Sequence, residues 1–230
     1  MNEPRIMLSW LAGSTMHGLR DENSDVDTRM IQYDDMESLL LQKKTDISHD
    51  AEHDISIISF KIFIGLLLKG APNMLEGLLA QDECLLAHDD IADSLRAHSD
   101  KFMTYRTIMS LLGMARSNIR MMSLPQNDNI TKIAKMQCET IRELRVAQSL
   151  ADDGIFLTST DTDELMEIKH GGFIRNGMIS SSWSPFVEHE LAITIASSER
   201  SSIRRNADKE TYAWCRTMLM EANARTLGID

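Results

Sequence analysis

The sequence predicts an α+β fold, with a small mixed β-sheet toward the N-terminus and a mainly helical C-terminal portion. Three observations predict it. Short apolar or alternating runs, punctuated by Gly, Ser and Asp, occupy the first third of the chain. Long segments of helical period with few β-branched clusters fill the rest. At 230 residues, with 43% hydrophobic and 26% charged residues, the chain can build one large domain or a core with a smaller partner.

Each element follows from its residues. Ile6 to Leu11 is short and apolar and ends at Gly13-Ser14, a strand followed by a turn. Asp21-Glu22-Asn23-Ser24 reads as a polar loop. Val26 to Tyr33 alternates, with Val26, Thr28 and Met30 set against Asp25, Asp27 and Arg29, as a two-faced strand does. Asp46 to Asp54 is polar and acidic, and Ile55, Ile57 and Ile58 then suggest a short buried strand. A helix is expected from about Ser59 to Lys69, stopped by Gly70, and a second opens at Ala71-Pro72-Asn73. Beyond Asp82, helices are expected over Ile91–His98, Phe102–Met122, Thr131–Asp152, Asp163–Lys169, Val187–Arg205 and Lys209–Thr226. Residues 125–129 and 171–184 read as loops, and Ile155 to Leu157 as a short extended piece. The change of character near residue 85 divides the chain into 1–84 and 85–230, either as two domains or as two layers of one unit.

Composition narrows the function classes. A net charge of −11 opposes non-specific coating of nucleic acid, which needs a broad basic surface to displace counterions, though it leaves room for a local basic groove. Cys84, Cys138 and Cys215 form neither a CxxC pair nor an even-numbered framework, so a reducing cytoplasmic setting is expected. No run approaches the roughly 20 apolar residues of a membrane span, and the first residues lack a basic leader, so no membrane association is expected.

The chemistry lies in Gly13-Ser14-Thr15-Met16-His17-Gly18 and the Ser24-Asp25-Val26-Asp27 that follows. A Gly-Ser turn after a buried strand can offer backbone N–H groups and a hydroxyl to phosphate oxygens. Asp25 and Asp27, two apart on an expected strand, would project their carboxylates to one face. Such a pair repels unless a cation lies between, and Mg²⁺ suits it, with hard oxygen ligands and a shell shared with substrate phosphates. Asp54, opening the next apolar run, is the best-placed third carboxylate.

Taken together, Gly13-Ser14, a ten-residue gap and Asp25-x-Asp27 resemble the DNA polymerase β-type nucleotidyltransferase superfamily. Gly13-Ser14-x-x-His17-Gly18 followed by Ser24-Asp25-x-Asp27-x-Arg29 is similar to the predicted nucleotidyltransferases found beside RNA-repair ligases and in phages. Lys61-x-Phe63 and the block Lys69-Gly70-Ala71-Pro72-Asn73-Met74-Leu75-Glu76 extend the likeness. Lys135 with Arg142, and Glu164 to Gly171, echo it more faintly. The chain departs from the pattern at Thr15, His17, Ala71 and Glu139. The resemblance implies a catalytic core in residues 1–84, closed by the helical part. Asp25, Asp27 and Asp54 would be both catalytic and metal-binding, with Mg²⁺ or Mn²⁺ as cofactor. Gly13, Ser14, Arg29, Lys135 and Arg142 would bind nucleotide. The implied reaction moves a nucleoside monophosphate from a nucleoside triphosphate to an acceptor hydroxyl on RNA. AMP transfer to a protein hydroxyl, or a catalytically silent nucleotide- or RNA-sensing module, are the alternatives.

Plainer roles stand beside these. Asp25 and Asp27 could form a solvated turn, Asp54 could belong to a wet acidic loop, and Ser14 could only cap a helix. Arg29 could pair with a carboxylate or reach a phosphate. His17, His49, His53 and His170 form no ligand-spaced cluster. Lys61 and Lys69 flank an apolar helix and can snorkel. Lys132, Lys135, Arg142 and Arg145 fall loosely on one helical stripe, which is either an ordinary charged face or a phosphate contact. With Arg200, Arg204 and Arg205 they are the candidates for a local basic groove.

Overall fold

The computed structural model describes residues 5–22, 24–41, 47–50, 54–124 and 129–229. The described chain forms two compact units, Met1–Phe102 with Asn206–Asp230, and Met103–Arg205.

The first unit is built on a five-stranded sheet of β1 (Ile6–Leu11), β2 (Thr28–Gln32), β3 (Ser48–Asp50), β4 (Ile55–Ser59) and β5 (Leu85–His88), in the order β3-β4-β2-β1-β5. β2 and β4 run parallel and the other neighbours are antiparallel, so the sheet is mixed, as expected. β1 is flanked by a strand on each side and buries Met7, Leu8, Ser9 and Trp10 in succession. A strand covered on both faces reads as a continuous apolar run, which Ile6 to Leu11 is. Around the sheet lie α1 (Gly13–Met16), α2 (Met36–Leu41), α3 (Phe60–Leu68), α4 (Pro72–Leu78), α5 (Asp90–Ala97) and the last helix of the chain, Lys209–Leu227.

Local chemistry sets the ends. The Ser59 hydroxyl accepts from the Ile62 N–H and caps α3. Gly70, at φ +75°, lets the chain turn out of it. Pro72 starts α4 at a position where its missing N–H costs nothing. The Asp89 carboxylate caps α5 through Ala92 N–H and also accepts from the Tyr33 hydroxyl, joining α5 to the end of β2.

The second unit is helical: α6 (Tyr105–Met122), α7 (Ile130–Asp153), α8 (Thr162–Lys169) and α9 (Trp183–Arg200), with a small hairpin of β6 (Ile174–Arg175) and β7 (Met178–Ile179). Lys209–Leu227 is α10. The central helix α7 buries one flank against α6 and another against α9 and carries Ile133, Ile141, Leu144, Ala147 and Leu150 inside. Thr194 and Ser201 donate to the carbonyls of Leu144 and Ala151, which fixes α9 along it.

The structure differs from the sequence expectation at several elements. β5 lies beyond the expected division at residue 84 yet pairs with β1 inside the first unit, and the chain passes from one unit to the other after Phe102 and again after Arg205. Its Leu85-Leu86-Ala87-His88 is too short for a period to declare itself. β3 forms within the acidic stretch, where pairing to β4 overrides a poor strand composition, and α2 was not expected. β2 begins at Thr28, so Asp25 and Asp27 precede the strand instead of lying on it. Asn23, Asp46, His53 and most of the 125–129 loop lie outside the described residues. Among the described residues, no helix is long and apolar enough to cross a membrane.

Candidate active site

Parallel pairing of β2 with β4 creates the site. Thr28 and Ile55 are register partners, so Asp27 and Asp54, each one residue earlier, leave neighbouring strands at the same end. The Thr28 N–H donates to the Asp54 carbonyl at 3.0 Å, and the Ala12 N–H to the Asp27 carbonyl at 2.8 Å. These two bonds bring the end of β1, the approach to β2 and the approach to β4 together.

The carboxyls of Asp27 and Asp54 face one another closely, an arrangement that two bare carboxylates would resist. Burial and the facing Asp54 push the Asp27 carboxyl above its ordinary value, with a smaller push from Asp25, while Arg29 pulls the other way. Asp54 takes a left-handed backbone, φ +52°, to enter β4, and its carboxylate also lies 3.5 Å from His49 Nε2 on β3. Asp25 is exposed at the margin. The side-chain pair that converges is thus Asp27 with Asp54. The shared face expected for Asp25 and Asp27 required strand geometry that this segment lacks.

Gly13 is fixed by the same geometry. Its φ of +59° suits glycine, and a Cβ there would lie 2.2 Å from Asp27 Oδ2. The Asp27 carboxylate therefore rests against the bare Cα of Gly13. Ser14 follows in the single helical turn of α1, and its carbonyl accepts from the Leu19 N–H.

Among the described residues, no group of three or more His, Cys, Asp and Glu side chains is arranged as a ready metal cage. The donor chemistry still suits a hard cation. Two carboxyls that face one another, one of them disfavoured as an anion by burial and by its neighbour, would be relieved by a divalent ion that fills its remaining shell with water and phosphate oxygens.

Arg29 stands on β2 two residues beyond Asp27. Its Nη1 donates to the Asn73 carbonyl at 3.0 Å and lies 3.8 Å from Glu76 Oε2. Glu76, on α4, also places Oε1 3.5 Å from Nε2 of the buried His17. The sequence by itself assigns no separate role to Glu76 or His17. A charged residue inside Met74-Leu75-Glu76-Gly77-Leu78 was the available signal, because a buried carboxylate demands partners. The other expected nucleotide contacts, Lys135 and Arg142, belong to the helical unit. Lys135 is exposed, as is Lys132. Arg142 is buried and donates through Nε and Nη2 to Glu139 at 2.9 and 2.8 Å. Arg145 pairs with Asp161 and Glu164, so the expected four-residue stripe divides into two exposed lysines and two engaged arginines.

A family model, described as RlaP, the RNA repair pathway DNA polymerase beta family, matches residues 1–212. The chain belongs to this family. No curated protein matches it. Membership in the RNA repair pathway DNA polymerase beta family makes the chain a polymerase β-type nucleotidyltransferase by kinship. The matched stretch takes in the Gly13-Ser14 turn, the Asp27–Asp54 pair and the whole helical unit.

Proposed function

We propose that the protein transfers a nucleoside monophosphate from a nucleoside triphosphate to a hydroxyl at an RNA end, in the cytoplasm. The observation that carries this reading is the Asp27–Asp54 carboxyl pair set against Gly13 at one end of the sheet.

Asp25, Asp27 and Asp54 would hold Mg²⁺ or Mn²⁺, which when bound neutralises polyphosphate charge and makes an attacking hydroxyl more acidic. Asp54, whose side chain is 42% exposed, takes the proton from the acceptor hydroxyl. The acceptor oxygen forms a bond to the α-phosphorus as the bond from that phosphorus to the bridging oxygen breaks. Pyrophosphate departs with the electron pair, and the Gly13-Ser14 turn and Arg29 steady its oxygens. Gly13 matters twice here. It offers an N–H on an open backbone, and it leaves the Asp27 carboxylate its place.

An RNA acceptor fits the family and the exposed basic residues Lys132, Lys135, Arg200, Arg204 and Arg205 of the helical unit. With a net charge of −11, contact would be local and limited to a few phosphates. The test is transfer of label from α-³²P triphosphates, in Mn²⁺, to broken structured RNA or to protein. Label in RNA is expected. Asp27→Asn and Asp25→Asn should each lower transfer by at least about 100-fold, the scale of losing a preorganised charge-stabilising group, while circular dichroism stays unchanged. Label following a protein hydroxyl would replace the acceptor assignment, and full turnover by Asp27→Asn would overturn the reaction itself.

A further inference from the structure

Glu76 is 3% exposed, in the middle of a helix whose other inward residues are apolar. A carboxylate so placed is expensive to bury and persists only where partners hold it. Its position is set by close packing. The ring of Trp10 on β1 lies against Gly77, where a Cβ would come within 2.7 Å of the indole. Trp10 is in turn the register partner of Arg29. The one residue of α4 that must be small thus presses the helix onto the sheet, and its neighbour Glu76 arrives beside the Arg29 side chain.

Arg29 is held in a particular way. Among the described residues, its contacts with the Asn73 carbonyl at 3.0 Å and Glu76 Oε2 at 3.8 Å both run through Nη1. Its side chain keeps about a quarter of its exposure. A guanidinium is a rigid planar fork with five donors, so anchoring one nitrogen orients the rest. Arg29 follows Asp27 by two residues at the start of β2, which puts its charge near the site.

We propose that Glu76 is a positioning residue: with the Asn73 carbonyl it clamps Nη1 of Arg29, so that Nη2 and Nε are presented to the triphosphate beside Asp27. The proposal rests on the nucleotide-transfer reading and assigns Glu76 a task that acts only through Arg29. His17 braces the far oxygen of Glu76 and links the clamp to the segment that begins with Gly13-Ser14.

A clamp and a simple buried ion pair predict different things. The test is binding of Mn²⁺ with inorganic tripolyphosphate to the full chain, followed by calorimetry, with thermal melts of every variant. Tripolyphosphate reads the phosphate contacts whatever base the enzyme prefers. Arg29→Ala is expected to weaken binding about tenfold or more, the scale of one charge-assisted hydrogen bond. Arg29→Lys should lose as much, because one ammonium held by Asn73 and Glu76 has no second edge to offer. Glu76→Gln should weaken binding about fivefold in the wild-type background and leave the affinity of Arg29→Ala unchanged. Equal losses from Glu76→Gln in both backgrounds would overturn the clamp, as would wild-type affinity in Arg29→Lys. Arg29→Lys decides the matter where Glu76→Gln fails to fold, since Arg29 is partly exposed. Wild-type protein that binds no tripolyphosphate would remove the nucleotide reading and the clamp together. Normal binding with additive losses would remove the clamp alone.

Discussion

Gly13 serves the backbone and, under the proposed function, catalysis as well, and the two are separable. The left-handed φ costs an L-residue about 1–2 kcal/mol, and a methyl group at Cβ would also enter the space of Asp27 Oδ2. Asp27 would have to move, and displacing a reacting group by about an ångström can cost about 100-fold in rate. Gly13→Ala should therefore lower the melting temperature by only about 2–8 °C, taking about 2–4 °C per kcal/mol for a chain of this size. Nucleotidyl transfer should fall by about 100-fold or more, measured on the same preparation. A variant that keeps its activity would show that the close approach of Gly13 to Asp27 is incidental. This residue was legible in the sequence as a turn glycine, but its close approach to Asp27, 14 residues further along the chain, was not. Spacing states that two motifs recur together; it does not state that one fills the space the other leaves.

Among the elements, β4 was readable and the two edge strands of the sheet, β3 and β5, were not. Ile55, Ile57 and Ile58 declare a strand by their β-branched side chains, and so place Asp54 at its start. β3 is an exposed Ser-His-Asp edge and β5 a four-residue Leu-Leu-Ala-His, and each exists because a neighbouring strand offers its N–H and C=O groups. Asp25 and Asp27 show the opposite error. Their alternation with apolar residues suggested a strand, but pairing with β4 begins only at Thr28, and the segment before it is free to turn. The contact of α4 with β1 gives this scale its test. Gly77→Ala inserts a methyl group where the Trp10 ring lies 2.7 Å away, and overpacking of this kind costs about 1–3 kcal/mol. A drop of about 2–12 °C in melting temperature is expected, since α4 must ride up from the sheet. An unchanged melt would mean that the helix yields without cost.

Across the whole molecule, the last helix returns to the first unit, an arrangement no local pattern announces. Thr211, Cys215 and Ala222 of α10 are buried, Trp214 packs near Phe102 and His98, and Arg225 grips both oxygens of Asp90 with a fork of 2.6 Å bonds. That grip holds the Asp90 carboxyl down at about 2, against an ordinary value of 3.8. A depressed carboxylate contributes stability above its unfolded pKa and loses it as pH falls through the folded one. Wild type should therefore melt slightly above Arg225→Ala at pH 5 to 7, and the gap should close between about pH 4 and pH 2. The Asp90 side chain is 70% exposed, so the difference will be small and will shrink in salt. A gap that persists at pH 2 would assign the effect to the packing of the Arg225 stem.

By itself the sequence determined the α+β class, most helices and the strands β1 and β4, and it singled out Gly13, Ser14, Asp25, Asp27 and Asp54 as candidates for one site. These follow from short-range periodicity and from motif spacing, which survive in one dimension. Only the tertiary structure decided that Asp27 meets Asp54 across a parallel strand pair, that Arg142 is spent on Glu139, and that Glu76 stands behind Arg29. Such pairings depend on strand order and on which helix presses against which sheet, and those are set by the closure of the whole core rather than by any neighbour along the chain.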